Sequence, residues 1–270
     1  MKKVLLAITS ILSVVLLSAC GLVGDDTLRV GMDLSYPPFE TEEDGDPEGI
    51  SVDVAHELGE YLDRDVEIVD TGFGQLIPSL NSGEIDIVIG SMSITDERDE
   101  SVDFTDPYFY FKIISLVNRD FADEHDITED TTHDELLDID DAKYVGIRDQ
   151  VSYEIPDDMG LDTMKADSPS SAVYEVVQGE RDILMMSSLP VANNHNSNED
   201  DTMIVWDPFE VSPIGMAVRE GDEELQSEAN EFIAQMDEED GVYDQLREDW
   251  DEEVESRLGR YGLDFFINED

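Results

Sequence analysis

The sequence predicts an α/β fold of two lobes joined by two long strands, and three features predict it. Short apolar runs typical of buried strands alternate with helix-like runs, and such alternation indicates parallel β-α-β units. The alternation occurs twice along the chain, once before residue 118 and once after it. The 250 residues that follow an N-terminal targeting segment exceed what one small core needs and fit two lobes.

The first lobe is predicted from residues 27–117, and residues 212–270 are expected to return to it. Ile113–Val117 is an unbroken apolar run, which is typical of a strand that crosses into another lobe. Apolar runs also predict the strands of this lobe, and apolar residues at helical spacing predict its helices. The strands are Leu28–Met32, Val66–Val69 and Ile85–Ile89, and the helices are Ser51–Leu62 and Gln75–Asn81.

The second lobe is predicted from residues 118–211. Ser168 and Pro169 are typical of a helix start, because serine caps free backbone N–H groups and proline fits the first helical position. Val211–Val218 is the expected return crossing. The other elements of this lobe are strands Tyr144–Ile147, Thr163–Ala166 and Ile183–Met186 and helices from Ser152 and over Pro169–Gln178. Helix Glu223–Met236 is expected to close the first lobe, and a terminal helix is expected within residues 237–270.

The N-terminus has the composition of an export signal. Two lysines precede the apolar stretch Val4–Leu17, which is short for a membrane-spanning helix and typical of a signal peptide. Residues 17–20, Leu-Ser-Ala-Cys, are similar to a bacterial lipobox, which implies cleavage before Cys20 and lipid attachment to its thiol. We therefore expect a signal peptide at 1–20, a tether at 21–26, and an extracytoplasmic protein held on the membrane by that lipid.

The chain is strongly acidic, with 69 Asp and Glu against 15 Lys and Arg and a formal net charge of −54. Removing the signal peptide deletes two lysines and no acid, which takes the charge to −56. The 40 % hydrophobic residues, in clear strand and helix patterns, still favour a folded chain over disorder. We interpret the acidity as adaptation to concentrated salt, because the screening length falls to about 3 Å at 1 M. The charge argues against nucleic acid as a partner.

Residues 90–108 carry the most functional information, because a buried strand ends there in small polar residues. Ser91 and Ser93 place hydroxyl groups at the strand end, and a single arginine, Arg98, follows them. Short hydroxyls hydrogen-bond small polar ligands, and a planar guanidinium suits a bidentate contact with a carboxylate. The pattern alone fits equally a solvated acidic loop with a structural turn. No Gly-rich phosphate loop or metal-spaced His/Cys cluster occurs, so we expect no cofactor and no metal.

Five segments of the chain occur in an order found in a known family. They are Leu28–Glu40, Gly49–Ala55, Phe73–Asp86, Gly90–Tyr108 and Ile214–Asp222. Their order resembles that of the polar-amino-acid-binding family of bacterial extracellular solute-binding proteins, the receptors of ABC importers. The resemblance implies a type II periplasmic-binding-protein fold, in which each lobe is a mostly parallel sheet flanked by helices. It further implies a monomer that binds a small zwitterionic solute between its lobes and docks on an ABC permease in the membrane.

The resemblance also implies which residues hold the ligand. Arg98 matches the residue that binds the ligand's carboxylate. Ser91, through its backbone carbonyl, and Ser93, through its amide and hydroxyl, match residues that bind the ligand's ammonium and carboxylate groups. Ser152 matches a hydroxyl residue at a helix start, where free backbone N–H groups favour an anion. In such folds the ligand lies beyond the carboxyl ends of the strands.

Three further positions leave alternatives open. Tyr36 and Phe73 match aromatic residues that sandwich the ligand, but an aromatic at such a site also fits ordinary core. Asp33 is suited either to pairing with a cationic ligand group or to capping its own loop.

The chain departs from the family pattern at two places. Gln150 and Val151 stand where the family has a glycine before the helix start. Ser187, five residues after Asp182, stands where the family has an aspartate that pairs with the ligand's α-ammonium. A serine supplies no charge, and the lost interaction is worth roughly 1.5–3 kcal/mol. Either another acid substitutes, with Asp33 the nearest candidate, or the ligand is a compatible solute such as ectoine or a betaine, held by aromatic rings.

Two other classes of function compete with a solute receptor. Some relatives in the family resemble dehydratases that act on cyclic carboxylates, and that chemistry needs a positioned acid or base with a shifted pKa. The sequence contains no recognisable nucleophile–base pair, so we expect no enzyme activity. The third class is a passive acidic lipoprotein without a ligand, which the ordered match of cleft residues disfavours.

Overall fold

The computed structural model describes residues 27–148 and 150–269. The predicted signal peptide, tether and lipid-bearing Cys20 lie outside the described residues. Within the described ranges, no helix combines the length and the apolar character that crossing a bilayer requires.

The described chain alternates strands and helices along most of its length. The strands are β1 (Leu28–Met32), β2 (Thr41–Glu43), β3 (Asp46–Glu48), β4 (Val66–Asp70), β5 (Ile87–Val88), β6 (Val102–Phe104), β7 (Phe109–Asn118), β8 (Lys143–Ile147), β9 (Asp162–Ala166), β10 (Ile183–Ser187), β11 (Thr202–Ile214) and β12 (Ala217–Arg219). The helices are α1 (Ile50–Leu62), α2 (Leu76–Ser82), α3 (Asp96–Asp99), α4 (Arg119–Glu124), α5 (His133–Leu137), α6 (Val151–Asp158), α7 (Pro169–Val177), α8 (Ser188–Asn196), α9 (Glu223–Ile233), α10 (Val242–Leu258) and α11 (Asp264–Ile267), with a 3₁₀ turn at Phe73–Gln75.

The strands form two five-stranded sheets and one hairpin, β2–β3. The first sheet has the order β4-β1-β5-β12-β6, with β1 parallel to β4 and β5 and with β12 antiparallel to both its neighbours. The second has the order β11-β7-β10-β8-β9, with β8 parallel to β9 and β10. Apolar side chains pack between the sheets and their helices. The predicted two-lobed α/β fold is confirmed.

Two crossings join the sheets, one from β6 to β7 and one from β11 to β12. Strands β7 and β11 pair antiparallel within the second sheet, with a shift of register between Val205 and Glu210. The predicted return crossing over 211–218 is interrupted, because β11 ends at Ile214 and β12 begins at Ala217 in the other sheet. The lobe boundaries that we placed after residues 117 and 211 stay a prediction.

Helix α1 begins where Gly49 brings the chain against the preceding loop. Gly49 has a φ of +133°, which L residues rarely adopt, and a Cβ there would lie 2.3 Å from the carbonyl oxygen of Phe39. Because glycine has no Cβ, the backbone N–H of Ser51 donates to that same oxygen at 2.9 Å. The close approach places the Ser51 hydroxyl on the carboxyl group of Glu40.

We expect Gly49→Ala to lower the free energy of unfolding by about 2–4 kcal/mol, because it adds a steric clash to a strained φ. Urea unfolding measures this change. Gly72→Ala is the control, since Gly72 has a φ of −52° and a Cβ there meets nothing within 4 Å. Equal losses in the two variants would contradict the role given to Gly49.

Candidate ligand-binding site

A cavity of about 430 Å³ opens between the two sheets, at the carboxyl ends of β1, β5 and β10 and beside the start of α6. Several of its lining residues were not predicted, among them Glu40, Phe111, Glu210 and Ser212. The cavity is lined by all eight residues predicted to bind ligand: Asp33, Tyr36, Phe73, Ser91, Ser93, Arg98, Ser152 and Ser187.

Arg98 is held in a fixed position at one end of the cavity. It lies on α3, a short helix whose N-cap, Thr95, accepts a hydrogen bond from the Arg98 N–H at 3.3 Å. Its Nη1 donates to the carbonyl oxygen of Ser93 at 2.8 Å, and its guanidinium carbon lies 5.2 Å from the ring centroid of Phe73. Burial lowers the pKa of this guanidinium below its usual value. Arg98 forms no ion pair with any residue of 27–148 or 150–269.

Ser93 is oriented to donate a hydrogen bond into the cavity. Its Oγ accepts from the hydroxyl of Ser212 at 2.8 Å, so its own O–H is free to donate to a ligand oxygen. A backbone bridge between Ser93 and Ile214 holds the two segments together. Ser93 and Arg98 form what we call the donor end of the cavity, which suits a carboxylate.

Ser91 is oriented in the opposite way to Ser93 and presents a hydrogen-bond acceptor to the cavity. Its hydroxyl donates to both carboxyl oxygens of Glu40, at 2.8 and 3.0 Å. Because that is its only proton, the Ser91 oxygen is left with acceptor capacity and favours an N–H donor. Its φ of +51° is costly for an L residue, by about 1–3 kcal/mol, and such strain is often found at functional sites. Ser91 and Glu40 form the acceptor end of the cavity.

Glu40 is the most deeply buried acid of the cavity, with only 1 % of its surface exposed. The Ser51 hydroxyl also donates to it. Burial raises the pKa of Glu40 to about 8; the hydroxyls of Ser51 and Ser91 act in the opposite direction, and the charge of Asp33 raises it further. No Lys, Arg or His in the described ranges forms an ion pair with Glu40.

The aromatic residues combine packing with exposure to the cavity. Tyr36 stacks on Phe111, with ring centroids 5.9 Å apart and an interplanar angle of 26°. The Tyr36 hydroxyl and the Ser187 hydroxyl are 2.9 Å apart, which joins the first sheet's loop to the end of β10. Phe73 remains 41 % exposed, beside the guanidinium of Arg98.

Asp33 and Ser152 line the cavity but use their side chains in local hydrogen bonds. The Asp33 carboxylate accepts from the Phe73 N–H at 2.7 Å and from the Ser35 hydroxyl at 2.5 Å, which favours the loop-capping alternative. Ser152 is 1 % exposed, and its hydroxyl accepts from the Ile147 N–H at 2.9 Å. No group of metal-binding side chains occurs in the part of the chain that is described.

The fold and the cavity define a two-lobed receptor for a small solute, with hydrogen-bond donors at one end and acceptors at the other. A family model described as bacterial extracellular solute-binding proteins, family 3, matches residues 28–253, and the chain belongs to this family. Its members have the type II periplasmic-binding-protein fold that the sequence predicted.

The matches to individual relatives extend over most of the length of each relative. The L-cystine-binding protein TcyJ of Escherichia coli is 29 % identical over 228 residues, which are 83 % of this chain and 82 % of that protein. A proposed ABC-transporter binding component from Wolinella succinogenes, solved with lysine, has a TM-score of 0.68 at 27 % identity and covers 83 % of this chain and 95 % of its own. An ancestral amino acid-binding protein, described as a precursor of cyclohexadienyl dehydratase, has a TM-score of 0.64 at 32 % identity, with the same coverage.

Proposed function

We propose that the chain is the solute-binding component of an ABC importer and holds a polar amino acid between its lobes. The observation that carries this proposal is the opposed polarity of the cavity. Donors at Arg98 and Ser93 suit a carboxylate, and the acceptor end at Ser91 suits an ammonium group. Ligand binding would favour the closed arrangement of the lobes, which a membrane permease recognises.

The polarity also bears on the alternative ligands. A quaternary betaine carries no N–H group and therefore leaves the acceptor end without a partner, whereas ectoine and amino acids carry N–H donors. The relatives named above point the same way, because one is named for cystine and another was solved with lysine. We propose an amino acid, with ectoine as the alternative.

The setting of the receptor is part of the same proposal. We propose a monomer, anchored outside the cytoplasm through lipid on Cys20, whose lobes divide near residues 117 and 211. The 69 acidic residues support work in concentrated salt. The matching test compares folding at two salt concentrations. We expect the protein to unfold in dilute buffer and to refold when KCl is added to molar concentration.

A dehydratase is the second candidate, because Glu40 is a cleft acid with a raised pKa, as such catalysis requires. With 1 % of its surface exposed behind the Ser91 hydroxyl, Glu40 is poorly placed to transfer a proton to a ligand. We therefore propose no enzyme activity. Turnover of prephenate or arogenate by the purified protein would contradict this.

Calorimetric titration in molar salt, on the chain lacking residues 1–20, tests the proposed function. The panel contains glutamine, glutamate, arginine, lysine, histidine, cystine, ectoine and glycine betaine. We expect at least one amino acid to bind with a Kd near 1 μM or below, about −8 kcal/mol, and glycine betaine not to bind. Binding of glycine betaine alone, or of nothing in the panel, would overturn the proposal.

A further inference from the structure

We propose that Glu40 is the counter-ion of the ligand's ammonium group, acting through the Ser91 hydroxyl, so that binding releases one proton from Glu40. This inference rests on the proposed function and names how the same site selects its ligand. In the free protein Glu40 is a neutral carboxylic acid; in the complex it is a carboxylate, and its proton has passed to solvent. The charge of the bound ammonium favours that loss.

The position of Glu40 supports this role. Both of its oxygens lie within hydrogen-bond distance of the Ser91 hydroxyl, at 2.8 and 3.0 Å, and that hydroxyl lines the cavity. An ionised Glu40 strengthens Ser91 as an acceptor, because a hydroxyl that donates to a carboxylate becomes more negative at its oxygen. Glu40 is therefore a positioning residue that places negative charge behind the group that touches the ligand.

The groups around Glu40 leave it without a positive neighbour in the described chain. Ser51, on α1, and Ser91, after β5, are neutral donors. Asp33 adds a negative charge from the loop after β1. Tyr36 and Tyr108 also face Glu40, and burial raises the pKa of each phenol well above its usual value, so both stay neutral. A cationic ligand supplies the charge that this environment lacks.

The same arrangement addresses the missing aspartate at position 187. Ser187 is hydrogen-bonded to Tyr36 and supplies no charge. Asp33, the substitute that the sequence suggested, is committed to its own loop through Phe73 and Ser35. Glu40, in contrast, accepts a hydrogen bond from Ser91, and the Ser91 oxygen is a hydrogen-bond acceptor that lines the cavity.

The test is titration of the unaltered chain, Glu40→Gln and Glu210→Gln with whichever of arginine, lysine, glutamine or glutamate binds the unaltered chain most tightly. Histidine is left out because its imidazole titrates in the same pH range. Heats at pH 7 in phosphate and in Tris, which differ in ionisation enthalpy, count the protons released. The Kd is measured from pH 6 to pH 9. Glu210 is the matched comparison, because it is an exposed acid that lines the same cavity.

We expect the unaltered chain to release about one proton and its Kd to fall by up to tenfold per pH unit until about pH 8, the pKa of Glu40. Glu40→Gln should release none, show no such slope, and bind about 10- to 100-fold more weakly at pH 8 but nearly normally at pH 6. Glu210→Gln should keep the proton release and the slope. Equal or higher thermal stability of Glu40→Gln at pH 8 confirms that it folds.

Three kinds of result would overturn the inference, and they are distinguishable. Tight binding without proton release, or with the same release and slope in Glu40→Gln, would remove Glu40 as counter-ion and leave the proposed function intact. Loss of the slope in Glu210→Gln instead would assign the ammonium to Glu210. If no amino acid of the panel given under the proposed function, histidine and cystine included, binds the unaltered chain, the proposed function fails and this inference fails with it.

Discussion

Replacing Arg98 with alanine should weaken amino acid binding by about 30- to 1000-fold, the largest effect we expect of any single change in the cavity. The estimate follows from the loss of charge-assisted hydrogen bonds to a desolvated carboxylate, which costs roughly 2–4 kcal/mol. The guanidinium has no ion-pair partner in residues 27–148 and 150–269, so the change leaves no described carboxylate unpaired. Calorimetric titration measures the change in Kd.

Two controls separate the contact with the carboxylate from general damage. Arg98→Lys keeps the charge but not the planar fork, and we expect it to recover only part of the affinity. A decarboxylated analogue of the same ligand should bind the unaltered chain weakly, and Arg98→Ala should weaken it little further. A large loss for the decarboxylated analogue in Arg98→Ala would show that Arg98 acts by some route other than the carboxylate.

Glu40→Gln should stabilise the ligand-free protein at pH 8 by on the order of 3 kcal/mol and leave its stability at pH 4.5 nearly unchanged. The pKa of Glu40 is about 8 in the folded chain, against 4.5 as its ordinary value. The folded state therefore holds this proton more tightly, and the stability that it contributes is fully present below pH 4.5. That stability is lost as the pH rises to 8, where a buried carboxylate must ionise. Glutamine keeps the hydrogen-bonding shape without that cost.

Urea unfolding across pH 4.5 to 8.5, in constant molar salt, measures the difference between Glu40→Gln and the unaltered chain. Glu228→Gln is the control for the general effect of removing one acid, because Glu228 is exposed on α9. We expect its effect to stay within about 0.5 kcal/mol and to vary little with pH. A difference for Glu40→Gln that is the same at every pH would contradict the raised pKa.

Much of the fold could be predicted from the sequence, because hydrophobic periodicity and helix-start residues act locally. Strand β1 has the predicted bounds, and α7 begins at Pro169 after the Ser168 cap, as predicted. Helix α8 was not predicted, because its residues after the buried start, Asn193–Asn196, are polar and give no clear apolar stripe. The extent of β7 and β11 also escaped prediction, since their pairing joins residues about 100 positions apart.

The sequence predicted only those site residues that a family pattern or a distinctive residue type marks. Arg98, Ser91 and Ser93 follow a strand end, and the polarity of their side chains is visible in the sequence. Glu40 was not identified, because one acid among 69 carries no mark of burial. Its environment depends on the close approach at Gly49, which the sequence alone does not reveal.

A crystal structure of the chain lacking residues 1–20, bound to its tightest amino acid, tests the central claim most directly. The account predicts the ligand's carboxylate within about 3 Å of the Arg98 guanidinium and the Ser93 hydroxyl, with its ammonium on Ser91. A ligand in the reverse orientation, or one bound outside the cavity between the two sheets, would contradict it.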